Sequence, residues 1–289
     1  MAKDSGKTKI REATVAGIFY PEAGEELEKE VSSLLEAAAG KAAGKQVAGA
    51  RAILSPHAGL GYSGDLAALA WHAALPRIIE RVVILSPHHR AEESLVYLPE
   101  AEFFACPLGK VHVDRKEVSE LLDCGTIFAM NDIPHFEEHG IELQLPFMKR
   151  LYPEAQLVPI IVGKASPPLV KSLASALALV FSESLETTLF VISSDLAAGN
   201  EATTLAAESS KLLSLIEGRD WEGILDEKAR NSHFACGSAC LAAWLASTIS
   251  LGTELAVLER HDSSSKRQGE QERLVEYGAI AFIEKGGMD

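Results

Sequence analysis

Residues 50–64 read ARAILSPHAGLGYSG, and residues 81–90 read RVVILSPHHR. Each is a short apolar run that stops at Ser-Pro-His. After the first comes SGDLAALAWHAAL, a helical segment with Ser63 as its expected N-cap. The rhythm returns at 156–163 (QLVPIIVG), followed by the helical PPLVKSLASALALVF, and again at 187–195 (TTLFVISSD). Apolar runs this short, alternating with helical periodicity, predict a largely parallel sheet buried on both faces. Further helices are expected at 25–39, 201–217 and 236–248, and late strands near 254–260 and 277–283. The fold class is therefore α/β, three-layered, with a central largely parallel or mixed sheet flanked by helices. Residues 1–12 read as a flexible N-terminal tail. No fixed-period repeat and no boundary interrupts the chain, so residues 1–289 are taken as one domain.

Three of the apolar runs deliver chemistry where they end. AILSPH leads to His57, VVILSPHH to His88 and His89, and LFVISSD to Asp195. In a parallel sheet the carboxyl ends share one edge, where such folds place ligands. Imidazoles and a carboxylate converging there form a ligand set for Zn, Fe or Cu. The bland reading is that each residue caps a strand or helix by itself; the threefold recurrence favours convergence.

Other motifs carry less. Gly59–Gly64 matches G-x-G-x-x-G, but Ser55–Ala58 separate the strand from the first glycine, and the next strand ends in Ser-Pro-His-His rather than an acidic residue. A glycine-rich turn close to the site is the better reading. His135–His139 lacks the Glu that H-E-x-x-H requires. His139 and Glu142 are three residues apart, as a pair beside the crevice or on the surface. No G-x-S-x-G supports a serine nucleophile. Cys236 opens the helical ACGSACLAAWLA, where the helix dipole favours a thiolate.

The 289 residues are 47% apolar and 24% charged, a globular composition. Asp and Glu number 41 against 27 Lys and Arg, a formal charge of −14. Nucleic acid and anionic membrane are disfavoured as partners, because both would be repelled. No uninterrupted apolar stretch reaches the roughly 18 residues of a membrane span. The start, MAKDSGKTKIRE, has no apolar core of a leader. Four cysteines are too few for a disulfide scaffold, so a cytoplasmic protein with free thiols is expected.

Eight stretches then occur in order: AGIFYP (16–21), SPHAGLGYSG (55–64), ILSPHHR (84–90), EHGIELQLPF (138–147), VPIIVG (158–163), SSDL (193–196), ACG (235–237) and YGAIAF (277–282). Together they resemble the Memo family, whose bacterial and archaeal members are called AmmeMemoRadiSam system protein B. The resemblance implies a fold similar to class III extradiol dioxygenases. It also implies a pocket of two His and a Cys, which falls here on His57, His89 and Cys236. Alignment by position puts His89 on the family His, and His88 stands in the slot usually held by a small polar residue, so either of the two adjacent imidazoles could be the ligand. Imidazole with thiolate is a softer set than imidazole with carboxylate, favouring Cu or Zn over Fe.

Two departures bear on activity. The family often carries a His three residues beyond the Asp of SSD, at the position of an acid/base; here it is Ala198. Gln144 likewise stands at the second His of the E-H-S-I-E-x-H pattern. Without those imidazoles a true ring-cleaving dioxygenase is not expected. The expectation is metal-dependent redox chemistry on a small molecule or peptide, with Asp195, His139 and Glu142 as the catalytic or orienting groups. The alternative is a non-catalytic adaptor for metal or (phospho)peptide in a vestigial pocket. The resemblance also implies a functional link to a radical-SAM enzyme.

Overall fold

The computed structural model describes residues 8–43, 47–265 and 273–285. The first half runs β1 (Ile10–Arg11), α1 (Gly24–Ala42), β2 (Ala52–Ser55), α2 (Leu60–His72), β3 (Arg81–Pro87), β4 (Val96–Leu98), β5 (Phe103–Cys106), β6 (Gly109–His112), α3 (Arg115–Asp123), β7 (Phe128–Met130) and α4 (Ile133–Glu137). The second half runs α5 (Leu145–Leu151), β8 (Gln156–Val162), α6 (Pro167–Phe181), β9 (Thr188–Ser193), β10 (Ala197–Gly199), α7 (Ala202–Glu217), α8 (Trp221–Arg230), α9 (Ser238–Ala246), β11 (Thr253–Asp262) and β12 (Leu274–Glu284).

The main sheet has the order β10-β12-β2-β9-β3-β8-β4-β7, with β11 paired to β12. Its centre, β2-β9-β3-β8, is parallel. It becomes mixed outward: β12 runs antiparallel to β2, β10 and β11, and β4 antiparallel to β8. A second sheet has the order β1-β5-β6. The four central strands are almost wholly buried, which explains why their sequences are apolar without alternation. Helices flank the sheet in two groups. In one, α1, α2 and α5 pack together, with α2 on β2 and β12; in the other, α6, α8 and α9 pack together, with α9 on β3 and β9.

Several expectations are corrected. Helix α2 begins at Leu60 with Gly59 as N-cap, so Ser63 lies inside the first turn and its hydroxyl bonds the Ala58 carbonyl at 3.3 Å. Gly59 holds that place because a Cβ there would lie 3.1 Å from the Phe19 carbonyl oxygen. Of the expected tail, residues 1–7 lie outside the described residues, whereas Ile10 and Arg11 form β1 beside β5. Within Pro167–Thr187, α6 and the 3-10 turn after it, an 18-residue window reaches mean hydropathy 1.3, so by length and composition alone this stretch could cross a membrane. Charged and small residues break its apolar runs, and Leu169, Leu173, Leu177 and Phe181 turn into the core.

Candidate metal centre

Parallel pairing brings the ends of β2, β9 and β3 to one edge, with Ser55 in register with Ser193. His57, Asp195 and His89 each follow two residues beyond a strand end. Cys236 arrives from the turn ahead of α9, and His139 from the loop after α4. His57 is buried, while His89 is exposed along one side. Cys236 Sγ lies 3.3 Å from His57 Nε2 and accepts the Asp195 backbone N–H at 3.1 Å. One ring nitrogen from each of His57 and His89 and the Cys236 sulfur all fall within 4.8 Å of one another. Three distant parts of the chain thus supply one donor group.

The rings are held by what lies behind them. Ser193 Oγ donates its single hydrogen to the Gly140 carbonyl at 2.8 Å. It must therefore accept from His57 Nδ1, 2.9 Å away, and from Gln144 Nε2 at 3.3 Å. That assigns the Nδ1–H to His57 and turns Nε2 toward the sulfur. His89 Nδ1 lies 2.7 Å from Glu138 Oε2, and its backbone N–H donates to the other carboxylate oxygen. Its remaining nitrogen, Nε2, also faces Cys236. A backing acceptor on the second ring nitrogen is the arrangement that orients metal-ligating histidines.

Charge favours the same group. Burial pushes the Cys236 thiol up, but the His57 and His89 imidazoles outweigh it and hold it well below its ordinary value. Burial works against a charge on His89, yet Cys236 and Glu138 raise it to about 10. His57 is likewise raised against the pull of burial, by Cys236 and Asp195. Burial raises the Asp195 carboxyl to about 6, with His57 pulling it back and Cys236 adding to the rise. His139 goes the other way, lowered to about 4 by burial and by its two neighbouring imidazoles.

The remaining expected residues divide. His139 stacks parallel to His89 at 5.4 Å between centroids and against Phe19 at 4.9 Å. Glu142 does not pair with His139. Its carboxylate is fully buried and is taken by Arg11, the backbone N–H groups of Thr14 and Val15, and the Tyr20 hydroxyl. His88 stands outside the donor group, with Nε2 3.5 Å from Glu137 and its ring edge-on to Tyr97. Gln144 is a brace: it accepts from Trp71 Nε1 at 2.8 Å and donates to the Pro56 carbonyl at 3.0 Å. Sequence reasoning missed Glu138 and Ser193. The parallel pairs His88-His89 and Glu137-Glu138 were the available signal for the first; nothing local marked the second.

A cavity of about 760 Å³ opens onto His89, Asp195 and Cys236, with α8, α9 and the turn after β8 as walls. Ala198 lines it without a polar group. The donors fit a transition metal by their chemistry: two imidazole nitrogens and a thiolate, as soft-to-borderline ions prefer.

A family model described as Memo-like protein matches residues 11–281. A MEMO1 family protein of Nitrosopumilus maritimus is 28% identical over 278 residues, covering 95% of this chain and 100% of its own. One of Methanosarcina acetivorans is 32% identical over 272 residues, covering 94% and 98%. One of Thermotoga maritima is 30% identical over 284 residues, covering 94% and 99%.

Proposed function

The chain belongs to the Memo-like family, and from that membership we propose that it is a transition-metal protein whose ion is held by His57, His89 and Cys236. The observation that carries this reading is the convergence of His57 Nε2, His89 Nε2 and Cys236 Sγ, each ring locked from behind. A bound copper, zinc or iron ion would supply Lewis-acid or redox chemistry at the floor of the cavity. Ser193 and Glu138 would fix the ring orientations, and the Asp195 N–H would keep the sulfur in place. The Asp195 carboxyl, raised to about 6, would hold or release a proton beside a cavity ligand. His139 would wall the site as a neutral ring, and Glu142 would anchor its loop. Metal-dependent oxidoreduction of a small molecule on an extradiol-dioxygenase-like fold is the activity we assign. Ring cleavage is not part of that assignment, because Ala198 stands where the family often carries an acid/base imidazole and its methyl can carry no proton.

Ala198 also supports a second reading, a binding adaptor that holds metal or a (phospho)peptide without turnover. Metal analysis of the full chain, purified without chelator, tests the site: bound Cu, Zn or Fe is expected, lost in Cys236→Ser. No bound metal, and none taken up on adding these ions, would overturn it. Turnover of a catechol or of peroxide, abolished in His57→Ala, would exclude the adaptor.

A further inference from the structure

The cavity carries positive charge that the metal site does not use. Lys228, in the last turn of α8, and Lys164, in the turn after β8, both line it. Several lysines elsewhere pair with acids, Lys41 with Glu259, Lys116 with Glu120 and Lys211 with Glu227, whereas Lys149 donates to the Pro153 carbonyl. Among the described residues neither cavity lysine pairs with a carboxylate, although the chain has 41 acidic residues against 27 basic ones. Lys228 is half-buried. Its ammonium donates to the carbonyls of Ser232 at 2.8 Å and Phe234 at 2.7 Å, which leaves a third hydrogen. Of the acids on the lining, Asp226 lies 3.9 Å from Arg230, and Asp195 belongs to the metal site. Beside the mouth, Arg273 donates to the His233 imidazole at 2.6 Å rather than to an acid. Much of the remaining wall is small and apolar, with Ala165, Ala197, Ala198, Leu225, Ala229 and Ala239, and Ser166, Ser232 and Ser238 add hydroxyls to it. The volume suits an organic molecule rather than a bare ion.

We propose that the cavity binds a small organic monoanion, a carboxylate on an apolar body, with the carboxylate between Lys228 and Lys164 and the other end against His89 and Cys236. The apolar body is matched by the alanine-rich wall, and the carboxylate supplies the acceptor that the third Lys228 hydrogen lacks. A half-buried cation offers a charge-assisted hydrogen bond, stronger than one in open solvent. This inference rests on the cavity being the site of the function proposed above, but it does not require the metal.

The test uses the full chain in EDTA, so that metal failure and anion failure remain separate. The probes are 4-phenylbutyrate and its neutral amide, titrated by calorimetry at low and moderate salt. The acid is expected to bind about tenfold more tightly than the amide, the size of one charge-assisted hydrogen bond, and to weaken with salt. The preference should largely vanish in Lys228→Met, shrink in Lys164→Met, and persist in Lys228→Arg. Should Lys228→Met fail to fold, Lys164→Met and the salt dependence decide. Equal binding of acid and amide, no binding of either, or a preference unchanged in both Met variants would overturn the proposal.

Discussion

At the scale of single residues, the site is ordered by groups with few hydrogens to give. Ser193 has one, and its destination determines which nitrogen of His57 faces the sulfur. Gly140 supplies that destination, and it must be glycine: a Cβ would sit 2.2 Å from Ser86 Oγ and 3.1 Å from His57 Nδ1. Gly140→Ala should therefore cost about 1–3 kcal/mol by overpacking. Ser86→Gly removes the nearer obstacle and should recover much of the loss. A urea-unfolding cycle of the two substitutions measures the coupling, and simple additivity would contradict this account. The ligands also predict a proton count. His89 is raised to about 10, so its ring carries charge at neutral pH, and Cys236 and Asp195 raise His57 in the same direction against burial. An ion must displace those protons, so affinity should climb as pH rises from 6 to 8. Calorimetry in buffers of different ionisation enthalpy should show net proton release.

At the scale of elements, the loop between α4 and α5 carries Glu138, His139, Gly140 and Gln144, and it is tied down by β1. Arg11 is buried on that short strand. It donates to the carbonyls of His135 and Glu138, both at 2.8 Å, and pairs with the Glu142 carboxylate. Burial opposes the Glu142 charge, but Arg11 and Tyr20 outweigh it and hold the carboxyl below its ordinary value. Arg11→Ala would strand a buried carboxylate, at a cost of about 3–5 kcal/mol. The same variant should weaken metal binding, because Glu138 backs His89. Since the Glu142 value is lowered on folding, its stabilisation is complete above the unfolded carboxyl range. That stabilisation fades as pH falls through the folded value. Acid unfolding of Glu142→Gln should show a shallower dependence in that window.

At the scale of the whole molecule, acid acts through a histidine outside the donor group. His135 is buried, and burial together with the nearby Arg11 lowers it to about 3. The unfolded chain takes up this proton near pH 6.5 and the folded chain refuses it. Stability is thus full above pH 6.5 and falls by about 1.4 kcal/mol per unit toward the folded value. Urea unfolding between pH 6.5 and 4 should show this slope reduced by one proton in His135→Gln.

Local patterns carried much of this protein in its sequence. The apolar runs at 52–55, 81–87, 156–162 and 188–193 announced four buried parallel strands, because a strand covered on both faces must be apolar throughout. Ser-Pro-His and Ser-Ser-Asp at their ends placed His57, the pair His88 and His89, and Asp195 on one edge. Cys236 was visible only beside a helix start and through resemblance. Tertiary structure alone decided the rest. The strands β4 to β7 are three or four residues long, too short for a periodic signal. Arg11 looked like part of a polar tail until a buried carboxylate 131 residues away gave its charge a partner. Which histidine of the pair at 88 and 89 meets the sulfur, which nitrogen it presents, and which serine holds the other ring depend on hydrogen bonds across 49 and 136 residues of chain. Periodicity records what each segment buries, whereas the partner of a buried polar group is chosen only when distant segments meet.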